Sequence, residues 1–364
     1  MQRVASQLYD ELQEHDDVEL SSHLLRSSWR WIHVKVVPYL LSTGWQLYRK
    51  AQNREMDLVL FSSMVTAAMA VPLQKAFRRN GIATAAIVHG LDVTLPFGPY
   101  QWFVPKVFDA LDAVLPVSQA TGAACRERGL SAEKLHVVPN GIDLARFPPT
   151  DEKRVMRREL KIALDDPAHP LPDDALLCCS VGRQVERKGF AWFVDHVMPK
   201  LPPNVHYWMG GDGPEAEAIQ AAIDRNGLNG RVRRLGYISE KDLAALYRGS
   251  DLYIMPNVPV DGDMEGFGIV MLEAGLCGTP VIAAQLEGIR DVVTEGVNGH
   301  LVAPQDAEAF ADAIRHYRDD RSALRAMAEH AEHHVKETFS WSSIADQYVQ
   351  TLQPLLIEPA VASN

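Results

Sequence analysis

Short apolar runs bounded by turn residues and separated by stretches with helical periodicity set the strongest constraint on how this chain can fold. In the first half they are 57–64 (DLVLFSSM), 83–89 (ATAAIVH), 113–118 (AVLPVS) and 135–140 (LHVVPN). In the second half they are 176–182, 205–211, 232–237, 252–256, 280–284 and 300–303, with helical patterns such as 216–226 and 239–250 between them. A strand that is apolar throughout is buried on both faces, and parallel neighbours need crossover helices. An α/β fold is therefore expected. A polar stretch near 143–175, ending in DPAHPLPDD, separates the two sets of runs and implies two doubly wound domains. Ligands of such sheets bind outside the carboxyl ends of the strands, so a cleft between facing domains is expected.

The length of 364 residues allows two domains of ordinary size. With 36 basic against 47 acidic residues the net charge is −11, which argues against wholesale binding to nucleic acid. No apolar run is long enough to span a membrane, and the opening MQRVASQLYDELQEHDD reads as a polar helix without a signal-peptide core. Cys125, Cys178, Cys179 and Cys277 have no metal or redox spacing and read as small core residues of a cytoplasmic protein. From Leu20 to Arg54 there is no acidic residue, while Arg26, Arg30, Lys35, Arg49, Lys50 and Arg54 interleave with Trp29, Trp31, Tyr39, Trp45 and Tyr48. Two readings stand: a helix with its aromatics packed inward, or a surface for an anionic membrane or a lipid-linked acceptor.

The stretch 261–278, DGDMEGFGIVMLEAGLCG, carries the most chemistry. Apolar residues from Phe267 to Leu276 predict a buried helix, with Glu265 at its entrance and Glu273 about two turns in. Gly266 and Gly268 would let an anion approach the first N–H groups closely. Glu273 cannot serve the same anion, but it can accept hydrogen bonds from neutral hydroxyls. Part anion and part polyol describes a nucleotide sugar. Upstream, Gly182-Arg183 and Lys188-Gly189 follow another strand, where fixed cations can neutralise a leaving diphosphate.

The run EGFGIVMLEAGLCGTPVIA resembles the signature of the retaining glycosyltransferases of the GT-B fold, group one (family four) type, marked by two glutamates separated by seven residues. The resemblance implies a GT-B architecture of two Rossmann-like domains facing across a cleft: an acceptor-side domain over 1–145, a donor domain over 146–338, and a closing helix over 339–364 that crosses back. It implies transfer of a sugar from a nucleoside diphosphate sugar to a hydroxyl acceptor, with neither a metal ion nor a cofactor. Arg183 and Lys188 would stabilise the departing diphosphate, Glu265 with the Phe267-Gly268-Ile269 backbone would hold the sugar or phosphates, and Glu273 the ribose. Gly182, Gly211 and Gly213, the latter two in GGDGP, would line the donor site, and Tyr237-Ile238 would hold the nucleobase edge. His89, in HGLD, would lie near the reacting carbon, with Asp92 and Ser118 as acceptor-side candidates. For Ser118, helix capping is the simpler reading.

Several features limit that reading. PNGID at 139–143 marks a tight turn before the interdomain link. No strand precedes the first helix, so the chain is expected to start late. Asp261-Gly262-Asp263 spells a metal-binding pair of another glycosyltransferase fold, but reads as a turn. Residues 361–364 read as a loose tail. A nucleotide-sugar epimerase, a phosphorylase or a non-catalytic binding protein are the rival readings. Alanine at Arg183, Lys188, Glu265 or Glu273 is expected to abolish transfer at nearly unchanged melting temperature.

Overall fold

The structure, a computed structural model, describes residues 2–25, 32–147 and 171–356. It divides into two compact units, Met1–Gly141 with Trp341–Asn364, and Ile142–Ser340. Arg26, Trp29, Arg30 and Trp31 of the basic aromatic run, most of the polar linker and the tail at 361–364 lie outside the described residues.

In the first unit, strands β1 (Leu58–Phe61), β2 (Ala83–Val88) and β3 (Ala113–Pro116) form a parallel sheet in the order β1-β2-β3. Every residue of β2 is buried, as an apolar central strand requires. The helix Ala70–Asn80 crosses from β1 to β2 and stops at Gly81, whose φ of 70° only glycine adopts without strain. The fourth expected strand does not form. His136 and Val138 donate to the carbonyls of Val114 and Pro116, so the segment runs beside β3. A parallel ladder needs the return bond from the N–H of residue 116, and a proline has none. Pairing shrinks to a single bridge between Val114 and Leu135.

Two terminal helices, Gln2–Glu14 and Trp341–Leu352, pack in this same unit. Val4, Leu8 and Leu12 are buried at helical spacing, and Trp341 Nε1 donates to Gln7 Oε1 at 3.0 Å. The helix Ile32–Asn53 has two unlike faces. Thr43, Leu47 and Ala51 are buried, while Val37, Leu41, Trp45 and Tyr48 are exposed. Trp45 and Tyr48 stack on each other at 5.8 Å, so these aromatics do not pack inward.

The second unit holds β4 (Leu176–Val181), β5 (Val205–Gly210), β6 (Val232–Gly236), β7 (Leu252–Met255), β8 (Val281–Ala284) and β9 (Gly299–Val302). They are parallel, in the order β6-β5-β4-β7-β8-β9. The chain winds outward from β4 to β6 and then returns to the other side of β4 as β7. That reversal makes the β4–β7 border a topological switch point, where the turns that leave the strand ends diverge and open a crevice. Leu176, Cys178, Phe193, Tyr207, Ile254 and Phe310 build the core around it, with Phe193 4.8 Å from the Tyr207 ring. The Tyr207 hydroxyl is satisfied by Ser180 Oγ at 2.7 Å, which in turn donates to the Ile254 carbonyl. All four cysteines are free thiols, and Cys125, Cys178 and Cys179 are buried. Among the described residues no helix is long and apolar enough to cross a membrane.

Candidate functional site

The carboxyl ends of β4 and β5 are joined backbone to backbone. Gly211, at φ 112°, lies so close to the Gly182 carbonyl that a Cβ would collide with it, and a Cβ on Gly213 would strike the Gln184 carbonyl. The Gln184 side chain is buried and donates to the Gly211 carbonyl at 2.8 Å. The missing Cβ atoms let the two turns close on each other and leave main chain without side chains of its own at the edge of the sheet.

Beside them, Lys188 is driven inward. The following Gly189 sits at φ 65° against the Pro256 carbonyl at the end of β7, which presses the turn onto the switch point. Lys188 is only 8% exposed, and its Nζ lies 2.5 Å from Glu265 Oε2. Arg187 Nη1 reaches the same oxygen, and Asn257 Nδ2 donates to it at 3.1 Å. Arg187 Nε also pairs with Asp263 Oδ1 at 3.0 Å, and the Val258 N–H donates to the Arg187 carbonyl. Burial opposes the charge on Glu265, yet Lys188 and then Arg187 outweigh it and hold the carboxyl below its ordinary range. Burial pushes the Lys188 ammonium below the usual lysine value, even against the pull of Glu265. Asp261-Gly262-Asp263 forms a turn with Gly262 at φ 77°, and Asp263 is occupied by Arg187.

The glutamate-bearing helix begins later than its apolar pattern suggests. It runs Ile269–Leu276, with Gly268 at φ 90° as its N-cap. Glu265 therefore lies in the preceding loop rather than at the helix entrance, and Glu273 is little more than one turn in. The cause is local: a left-handed Gly268 breaks the run, and Phe267 turns into the core against Phe339. The loop is held at Glu265 itself. Its N–H donates to Glu287 Oε2 at 2.5 Å and its carbonyl accepts from Gly288. Glu287 adopts φ 46°, rare for a side-chain-bearing residue, and burial raises its carboxyl above the ordinary value.

Glu273 is buried, with both oxygens engaged. Arg146 Nη1 pairs with Oε1, and the Tyr247 hydroxyl donates to Oε2 at 2.9 Å. Of the donor-site candidates, Lys188 and Glu265 are brought together, and Gly182 lies over the Lys188 chain. Arg183 is exposed; its carbonyl accepts from the Val185 N–H, while its side chain has no hydrogen bond or ion pair among the described residues. Tyr237 is 91% exposed, while Ile238 packs over Gly210. Sequence reasoning passed over Arg187, Asn257, Glu287, Arg146 and Tyr247. Only Arg187, adjacent to Lys188, carried a visible signal.

In the first unit, His89 directly follows β2, with Nε2 3.2 Å from the Ser62 carbonyl. Burial lowers its basicity, with Asp92 pulling the other way. The Asp92 carboxylate accepts from the N–H groups of His89 and Met64, and the Asp92 carbonyl from the Tyr100 hydroxyl. Ser118 caps the helix Gln119–Glu127 through the Thr121 N–H. Both candidates thus bracket backbone.

A doubly wound sheet with glycine turns and buried paired charges at its switch point defines a Rossmann-like class of domain. Comparison with known proteins narrows it. The sequence profile of Glycosyltransferase Family 4 matches residues 4–146, and that of Glycosyl transferases group 1 matches 175–320. Over 191 residues the chain is 34% identical to the lipopolysaccharide core biosynthesis glycosyltransferase LpsE of Rhizobium meliloti, covering 52% of this chain and 54% of LpsE. It is 31% identical over 272 residues to the D-inositol 3-phosphate glycosyltransferase of Corynebacterium urealyticum, 70% of this chain and 59% of that protein. The chain thus spans little more than half the length of these relatives. Among solved structures, Anabaena Alr3699/HepE in complex with UDP superposes with TM-score 0.70 at 24% identity, over 87% of this chain and 82% of that one. Sucrose-phosphate synthase from Thermosynechococcus elongatus gives TM-score 0.71 at 23% identity, over 98% and 93%. The chain belongs to the group 1, family 4 glycosyltransferases and has their GT-B fold, with parallel sheets of three and six strands.

Proposed function

We propose that the protein transfers a glycosyl group from a nucleoside diphosphate sugar to a hydroxyl acceptor, with retention at the anomeric carbon and without a metal ion. The observation that carries this reading is the buried Lys188–Glu265 pair at the β4–β7 switch point, beside the glycine turns at Gly182 and Gly211. Lys188 and Arg183 stabilise the departing diphosphate, and Arg187 supplies a further cation. The incoming phosphates compete with Glu265 for Lys188 and Arg187. Glu265, so released, accepts hydrogen bonds from sugar hydroxyls, with the Phe267-Gly268-Ile269 backbone alongside. Glu273 takes the ribose, Gly213 adds to the glycine-lined approach, and Tyr237-Ile238 offer their backbone to the base. Neutral His89 serves the reacting carbon. HepE was determined with UDP and with UDP-glucose, so uridine donors are the first to try. The test is a transfer assay with EDTA present, in which NMR reads the anomeric configuration of the product. A product of retained configuration, formed equally with EDTA, supports the reading. Inversion, a requirement for metal, or release of a free epimerised sugar defeats it.

We further propose that the helix Ile32–Asn53 rests on an anionic bilayer at the cytoplasmic face, close to a lipid-linked acceptor. Val37, Leu41, Trp45 and Tyr48 recur at helical spacing, with Leu41 71% and Trp45 62% exposed. Lys35 and Arg49 are exposed on the same helix, and no acidic residue lies between Leu20 and Arg54 to repel phospholipid headgroups. Co-sedimentation with phosphatidylglycerol vesicles, weakened by Leu41→Glu and absent with phosphatidylcholine alone, is the expected result. Equal sedimentation of Leu41→Glu, or none of the native protein, removes the surface from the account.

A further inference from the structure

Glu273 is one of four side chains that form a closed ring, all within the second unit. Arg146 sits just after the chain enters that unit at Ile142, in the short turn Leu144–Arg146. One branch of its guanidinium pairs with Glu273 Oε1. The rest grips Glu240, with Nε and Nη2 3.0–3.1 Å from the carboxylate oxygens. The Arg146 guanidinium lies 4.8 Å from the Phe147 ring centre, and Phe147 meets Tyr247 edge-on at 5.8 Å. Tyr247 closes the ring by donating to Glu273 Oε2, and its carbonyl is fixed by the Thr279 hydroxyl at 2.6 Å. Burial opposes the Arg146 charge, yet Glu273 and Glu240 hold it above the ordinary arginine value.

Such a ring is more than an isolated ion pair needs. A carboxylate oxygen has two lone-pair directions, so one donor on each oxygen leaves one direction per oxygen open. The planar fork of Arg146 and the rigid Tyr247 phenol fix which directions those are. One remaining acceptor direction on each oxygen of an immobile carboxylate matches the two neighbouring hydroxyls of a ribose. The geometry points to Arg146 as a positioning residue that aims Glu273 at the donor ribose, acting through the carboxylate rather than touching the ligand. This rests on the proposed ribose role of Glu273.

The test uses the full chain and the tightest binder among UDP, GDP and ADP, titrated calorimetrically beside its 2′-deoxy form. Wild type is expected to prefer the ribo form about tenfold or more, the worth of a hydrogen bond to a charged group. Arg146→Ala should bring the two forms within about twofold of each other, with Arg146→Lys between. Tyr247→Phe, which removes only the donor to Oε2, should also narrow the preference and provides a second probe should Arg146→Ala not fold. A purely structural Arg146 would lower the melting temperature and leave the ribo-to-deoxy ratio untouched in every folded variant, which overturns the proposal. Wild type that binds both forms alike removes the ribose role of Glu273 as well, so the two failures are told apart by the wild-type ratio.

Discussion

Replacing Glu265 by Gln keeps its shape and removes its charge, and the consequences can be worked through. Glu265 Oε2 receives Lys188, Arg187 and Asn257, and the Glu265 and Lys188 side chains are only 12% and 10% exposed. Removing one partner of a buried pair costs about 3–5 kcal/mol, because the other charge is left uncompensated. Arg187 keeps Asp263, so the lower end applies, about 3 kcal/mol. A unit of this size loses about 2–4 °C per kcal/mol, which gives a fall of about 6–12 °C in the melting temperature. The sequence alone suggested nearly unchanged stability on losing such residues. The geometry argues the opposite, since these ligand groups also clasp the loop to the sheet. The second half of the prediction concerns ligand. Freed from Glu265, Lys188 offers its full charge to a diphosphate and Arg187, still paired with Asp263, the part that Glu265 held, so Glu265→Gln should bind nucleoside diphosphate more tightly while transferring sugar poorly. Differential scanning fluorimetry and calorimetry read both halves. A fall under 2 °C, or weaker nucleotide binding, would refute the reasoning.

Other outcomes follow from the same geometry. Arg183→Ala, exposed and without a side-chain partner among the described residues, should change stability by less than about 0.5 kcal/mol while weakening nucleoside diphosphate binding, checked by calorimetry. Gly211→Ala forces a side chain into φ 112° and onto the Gly182 carbonyl; a loss of about 1–3 kcal/mol is expected in urea unfolding. Because the Glu265 carboxyl is depressed, its contribution is present above the ordinary carboxylate value of 4.5 and is lost as pH falls through its lower native value. Glu265→Gln should therefore flatten the acid limb of stability below about pH 4.5. For His89 the native value lies below 6.5, so the unfolded chain takes up its proton first and stability falls as pH drops through and below that value. His89→Gln should lessen that fall between pH 7 and 5, as followed by urea midpoints.

Much of this was readable beforehand, and the exceptions share a physical cause. Apolar runs located β4 to β9 closely, because buried parallel strands leave a continuous signature. The same signature failed at 135–140, where one missing N–H at Pro116 interrupts the ladder from the neighbouring strand, which no reading of the segment itself reveals. Lys188 and Glu265 were each legible as donor-site candidates, but their pairing, between residues distant in sequence, was not. Nor was it legible which of two nearby arginines joins them, since the Val185–Gly189 turn decides that Arg187 points inward and Arg183 outward. Glu287 gave no signal at all: its role depends on a left-handed backbone that only the fold reveals. Arg146 was hidden similarly, because an arginine in a short connecting turn looks like any solvated one.

The second unit is proposed to carry a metal-independent nucleoside diphosphate sugar site at its switch point. Thermal melting of the full chain against UDP, GDP, ADP, CDP and dTDP sugars, with and without EDTA, tests it most directly. At about a hundred times the dissociation constant, binding adds about 2.7 kcal/mol, a shift large enough to read. The account predicts that one nucleotide series raises the melting temperature equally with and without EDTA, and that Lys188→Met abolishes the rise. A cooperative melt unmoved by every series, or moved only when a divalent ion is present, would contradict it.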